Sequence, residues 1–231
     1  MAIINIKPKK VVFILGFIII LLVFASVVVQ LMKFAAGSKS LYGLASRFDL
    51  DGEGNIPNYF SSILLLFSAF LLAIIAAIKK KGNKPYAYHW VFLSIIFVHL
   101  SIDEMICIHE SWIRSMRIIF DAKGIFYFAW VIPGLVVVLV LAAFFYRFLF
   151  NLVLKSRLLF MIAAIVYVGG VLGCELIGGW YVFHFGKINF TYNMIAMIEE
   201  VLEMTGIVLF IYALLEYMQN EFKEIQVQIK N

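Results

Sequence analysis

The stretch "HLSIDEMICIHESW", His99–Trp112, decides how this chain is read. It follows an apolar run of membrane-spanning character. Yet it holds Asp103, Glu104 and Glu110 together with His99 and His109. Charge in hydrocarbon is costly, so ionisable residues within a span face a bundle interior or a cavity and mark function. The acids therefore need other spans that bring matching groups to the same depth.

Composition supports that premise. The 231 residues are 64% hydrophobic, with a mean hydropathy of +1.00, against roughly 45–50% apolar residues in a soluble domain. Stretches of about 20 apolar residues recur, each long enough to cross a bilayer core as a helix. Barrel strands are shorter and alternate, which excludes an outer-membrane barrel. The net charge of +5 does not point to nucleic acid. The basic residues sit in short loops beside apolar runs, where they act as orientation signals. Cys107 and Cys174 fall inside apolar segments. Two cysteines are too few for a disulfide scaffold and lack metal-motif spacing, so they read as small buried thiols.

The expected fold is all-α: a polytopic transmembrane bundle of six helices, forming one domain over residues 1–231. The expected spans are Val11–Met32, Phe60–Ile78, His89–Ile108, Ile125–Tyr146, Leu158–Tyr181 and Met194–Tyr217. The first follows "KPKK", and its apolar run is too long for the core of a signal peptide. With the N-terminus in the cytoplasm, twelve Lys and Arg lie inside and seven outside, the bias expected of an inner-membrane protein. Both termini are then cytoplasmic, and the largest loop, 33–59, is extracytoplasmic. Pro133 is expected to kink the fourth span. Gly169, Gly173, Gly178 and Gly179 are expected to let helices approach closely.

This topology sets depth. At 1.5 Å per residue, Asp103 and Glu104 lie about 10 Å inside the outer boundary, Glu175 roughly 9 Å and Glu199 and Glu200 about 10 Å, with Glu203 deeper. Lys and Arg alone fixed the orientation, so the convergence of three helices at one level is independent of it. On a continuous helix His99, Asp103 and Glu110 share a stripe, with Cys107 beside them and Glu104 off it. Glu199, Glu200 and Glu203 share another face, and Gly206 is expected to leave room beneath them.

Six carboxylates in one volume cannot all be ionised and uncompensated. His99, Asp103, Glu104, His109, Glu110, Glu199, Glu200 and Glu203 are the candidate metal ligands. Their chemistry suits zinc or iron. Glu175 is the candidate general base. Bound protons, a cation path or a structural hydrogen-bonded network would also account for the acids.

"FDLDGEGNIPNYF" adds a calcium-like pattern, with Asp49, Asp51, Glu53 and Asn55 at alternate positions and Gly54 between. It imitates the first part of an EF-hand loop, but Phe60 stands where the bidentate Glu belongs. A weak calcium site and an Asp/Gly-rich turn into the second span are the two readings.

Together "FDLDGEGNIP", "LSIDEMICIHE", "FAWVIPG", "YVGGVLGCELIGG" and "EEVLEMTGIVLFIYALL" resemble a family of uncharacterised bacterial multi-pass membrane proteins. The resemblance covers most of the chain after the first span and implies no activity. A weaker similarity runs to seven-span membrane hydrolases of the alkaline ceramidase and adiponectin-receptor type. Those use a His-x-x-x-His zinc motif, absent here, and their span number differs. The leading expectation is a metal-dependent membrane enzyme acting on a lipidic or small substrate from the outer side. A proton- or cation-coupled transporter subunit and an assembly component of a membrane complex are the rivals. The expected partners are the lipid bilayer and a membrane protein or second copy, with no nucleic acid.

Overall fold

A computed structural model describes residues 7–36, 47–50, 52, 54–187 and 189–222. The regular elements among them are all helical. They are α1 (Pro8–Ala36), α2 (Ile56–Lys81), α3 (Ala87–Ile106), α4 (Ile108–Phe120), a 3-10 turn (Gly124–Phe126), α5 (Val131–Asn151), α6 (Leu154–Val168), a π-helical segment (Gly169–Cys174), α7 (Glu175–Phe185) and α8 (Phe190–Glu221).

Five helical stretches are long and apolar enough to cross a membrane: Pro8–Met32, α2, α3, α5 and the continuous run Leu154–Phe185. Their outward faces are apolar. Phe13, Phe24, Leu139 and Ile165 are each more than 60% exposed, which suits a lipid surface and not water. The sixth expected span, Met194–Tyr217, lies within α8 and is not among these five. α8 carries five glutamates and forms the interior of the bundle. Its Met204, Ile207, Ile211 and Leu214 are almost wholly buried, against Leu72 and Ile75 of α2 and Trp90 of α3.

α2 and α3 form an antiparallel pair stitched by polar groups. Asn58 Nδ2 donates to the Glu104 carbonyl at 2.6 Å, and Ser62 and Ser101 each donate to the other's carbonyl at 2.8 and 2.9 Å. Ser94 Oγ donates to the Ala69 carbonyl at 2.8 Å. These bonds lie in one register along the helices, and such bonds substitute for a hydrophobic driving force that lipid does not supply. Asn55 caps α2, its side chain accepting from Asn58 N at 3.1 Å, and Pro57 occupies the first turn, where a missing N–H costs nothing.

At the other end, Lys79 of α2 pairs with Glu221 of α8 and Lys155 of α6 with Glu216. These ion pairs tie the last turns of α8 to two neighbours.

Several expectations change. The third span ends at Ile106, because Cys107 adopts the left-handed conformation (φ 51°, ψ 48°). Glu110 therefore sits on α4, and the stripe drawn from His99 through Asp103 to Glu110 does not exist. The fourth span begins at Val131, so Pro133 falls in the first turn of α5, where proline starts a helix without kinking it. Gly169 and Gly173 face open space. Close packing falls on Gly170 and Gly179, where a Cβ would meet neighbours at 3.0 and 3.1 Å, while Gly178 stands at ordinary contact distance, 3.6 Å. Gly206 leaves no room beneath the acids: a Cβ there would lie 2.6 Å from the Tyr167 backbone nitrogen. This is where α6 and α8 touch.

Candidate functional site

The break at Cys107 builds the roof of the site. α4 has no fully buried residue, and Trp112, Ile118, Ile119 and Phe120 are exposed along it. Asp121, which ends α4, is also left-handed (φ 43°). An amphipathic helix of this kind lies along a membrane boundary. Its first turn turns inward and supplies His109, Glu110 and Ile113 to a cavity of about 100 Å³.

Four helices deliver carboxylates to that cavity. Glu104 comes from α3, Glu110 from α4, Glu175 from the start of α7, and Glu199, Glu200 and Glu203 from α8. Cys107, Asn58 and Lys187 also line it, with Leu50 and Gly52 from the loop before α2. The three-helix convergence expected from depth is thus present, with α4 as a fourth contributor. Six carboxylates face one lysine and one imidazole.

The π-helical segment buttresses the glutamates of α8. It brings Gly170 against α8, where a Cβ would meet Glu203 Cγ at 3.0 Å and the Glu199 carbonyl at 3.1 Å. Such bulges widen a helix locally and recur at functional sites. Glu175 follows directly, and its Oε1 accepts from Trp130 Nε1 at 2.8 Å.

His109 is the most precisely held group. Its Nδ1 lies 2.7 Å from Asp103 Oδ2, its backbone N–H donates to Asp103 Oδ1 at 3.1 Å, and its ring packs 4.6 Å from that of Trp130. Burial alone would lower the His109 pKa. The bond to Asp103 and the charges of Asp103, Glu110 and Glu175 oppose it and hold the imidazole above its usual value. With Nδ1 bound to a carboxylate, Nε2 is the nitrogen left for a ligand, the arrangement common around metal-bound histidines.

The other expected ligands distribute as follows. Asp103 buttresses His109 and does not line the cavity. His99 is exposed, one turn before it, and is also not part of the lining. Glu104, placed off the stripe by helical spacing, faces inward. Among the described residues, no group of three or more His, Cys, Asp or Glu side chains is preassembled at metal-ligand spacing. Neither cysteine is in a disulfide; Cys174 is buried, and Cys107 is partly exposed, with its Sγ donating to the Glu104 carbonyl at 3.8 Å.

In the calcium-like loop, Asp49 accepts from Gln30 Nε2 at 2.8 Å, and Asn55 spends its side chain on the α2 cap and the Asp49 carbonyl. Asp51 and Glu53 lie outside the described residues. Leu50 N donates to Ser26 Oγ at 3.2 Å, so the loop is pinned to α1 at the edge of the cavity.

Asn58 is the residue that the sequence reading missed. It reaches Glu104 Oε1 at 3.2 Å as well as the Glu104 carbonyl. A polar residue in the first turn of an apolar helix, four positions before Ser62, is the signal that would have found it.

A family described as a domain of unknown function (DUF8692) matches residues 13–217. The chain belongs to this uncharacterised family. No curated protein and no solved structure matches it.

Proposed function

We propose that the carboxylate cavity is the metal centre of an inner-membrane enzyme that acts on a lipidic or small substrate from the extracytoplasmic side. One observation carries the reading: His109, oriented by Asp103 at 2.7 Å, shares a cavity with six glutamates. The donor chemistry fits a divalent cation. Nε2 of His109 with Glu110, Glu200 and Glu203 would hold it, and small side-chain movements would bring them to bonding distance. A bound cation supplies Lewis acidity and lowers the pKa of water at the site. Glu175, steadied by Trp130, is placed to accept a proton. Asp103 keeps the His109 tautomer fixed. The amphipathic α4 would place the mouth at the lipid headgroups.

A through-path for ions is disfavoured by the packing beneath the cavity. Gly206 meets Tyr167 there, and Ile207, Ile211 and Leu214 continue the apolar core.

The test is elemental analysis of detergent-purified protein, followed by incubation with extracted membrane lipids and mass spectrometry of the products. Metal retained by wild type, together with a lipid product that disappears in His109→Ala, is the expected result. Purified wild type that binds no divalent metal would sink the reading.

A further inference from the structure

Two buried side-chain oxygens of α2, Ser61 Oγ and Asn58 Oδ1, have no hydrogen-bond partner among the described residues, and of the two residues only Asn58 lines the acidic cavity. Asn58 is 9% exposed, and both hydrogens of its amide are directed to Glu104. Its Oδ1 is buried and has no hydrogen-bond partner among the described residues. Exchanging the amide O and N would set an oxygen against the Glu104 carbonyl and carboxylate, so the assignment follows from the neighbours. A buried carbonyl oxygen without a partner is costly, and native structures rarely leave one. This one belongs to a residue lining the acidic cavity.

Its surroundings say what would satisfy it. Glu104 lies next to it, and Glu203 is within electrostatic reach of Glu104, Glu199, Glu200 and Glu175. The wall is crowded with acceptors and already carries more carboxylates than cationic groups. A second acceptor there is stabilised by a cation. The amide oxygen is a hard donor. Zinc sites take Cys, His and carboxylate ligands, whereas an Asn carbonyl joining carboxylates suits hard, oxygen-seeking ions.

We propose that Asn58 Oδ1, with Glu104 and Glu203, forms an oxygen-coordinated site for a hard divalent cation of the manganese, magnesium or calcium class. This rests on the cation reading of the cavity and narrows it. It assigns a ligand from α2, a helix that contributes no carboxylate. Occupancy then ties α2, α3 and α8 together at the end of the bundle where the cavity lies.

The experiment is titration of the metal-stripped, detergent-purified protein with Mn²⁺ alone, read by loss of the free-ion electron paramagnetic resonance signal, and with Zn²⁺ alone as competitor. Wild type is expected to bind Mn²⁺, with Zn²⁺ displacing it from the same site, since zinc binds a given N/O site more tightly. Asn58→Ala and Glu104→Gln should each weaken Mn²⁺ binding about tenfold or more. Asn58→Asp keeps an oxygen at that place and should bind Mn²⁺ at least as tightly as wild type; it also serves if Asn58→Ala does not fold. Tight Zn²⁺ binding that ignores substitutions at position 58 would overturn this assignment and leave the metal centre standing. No binding of either ion to wild type would overturn both, with water and protons then compensating the acids.

Discussion

His109 and Asp103 meet across a helix break, six residues apart, with Nδ1 to Oδ2 at 2.7 Å and the backbone N–H of His109 on the second carboxylate oxygen. No unbroken helix would produce this double contact. The left-handed turn at Cys107 folds α4 back so that its first residues face the end of α3.

The pair has a pH signature. His109 has a raised pKa in the folded protein, so its contribution to stability is fully present below about pH 6.5, the ordinary histidine value. It is lost as pH rises through the higher folded value. In metal-free protein the melting temperature of wild type should fall over that window, and Asp103→Asn should flatten the dependence. An unchanged profile in the variant would remove Asp103 as the cause.

Gly206 and Gly173 make a contrasting pair. An alanine methyl at 206 would lie within 2.7 Å of Tyr167 backbone and side-chain atoms, whereas nothing stands within 4 Å of position 173. Gly206→Ala should destabilise by about 1–3 kcal/mol, because α6 and α8 must separate. Gly173→Ala should leave the melting temperature unchanged or slightly higher. Equal effects of the two would refute the close approach.

The serine stitch between α2 and α3 can be measured directly. Ser62 and Ser101 exchange hydrogen bonds to each other's carbonyls. A double-mutant cycle of Ser62→Ala and Ser101→Ala should return a coupling of about 0.6 kcal/mol, reaching roughly 1.7 kcal/mol if both bonds act together. A coupling of zero would show that the register is held by packing alone.

Orientation yields to labelling. If both termini are cytoplasmic, a tag at Lys81 should be protected from reagents added outside intact cells, and a tag at Asp51 should react. The reverse pattern would invert the topology and put the cavity on the cytoplasmic side.

Sequence and structure agree best where helix geometry governs. Glu104, Glu175, Glu199, Glu200 and Glu203, expected at about one level from 1.5 Å per residue along their spans, all line one cavity. Face assignments fail where the helix is not continuous. A cysteine in the left-handed region carries no signature comparable to glycine, so the sequence does not mark the break at Cys107 that puts Glu110 on a separate helix. Helical spacing sets Glu104 off the His99–Asp103 stripe, yet Glu104 and not Asp103 lines the cavity, because the register of α3 against α2 depends on Asn58 and the serines, which report on a neighbour and not on their own helix. The π-helical turn at Gly169–Cys174 likewise shifted packing from Gly169 to Gly170. A strict 3.6-residue period has no means of anticipating it.

The amphipathic α4 has a further consequence. It contributes His109 and Glu110 to the cavity while burying none of its own residues within the protein. Part of its seating must then come from the leaflet, and such seating responds to curvature and lipid composition. The seating is then shared: His109 on Asp103 and Arg117 on the Tyr127 carbonyl tie α4 to the protein near its two ends, and the leaflet acts on the apolar side chains that remain exposed along it.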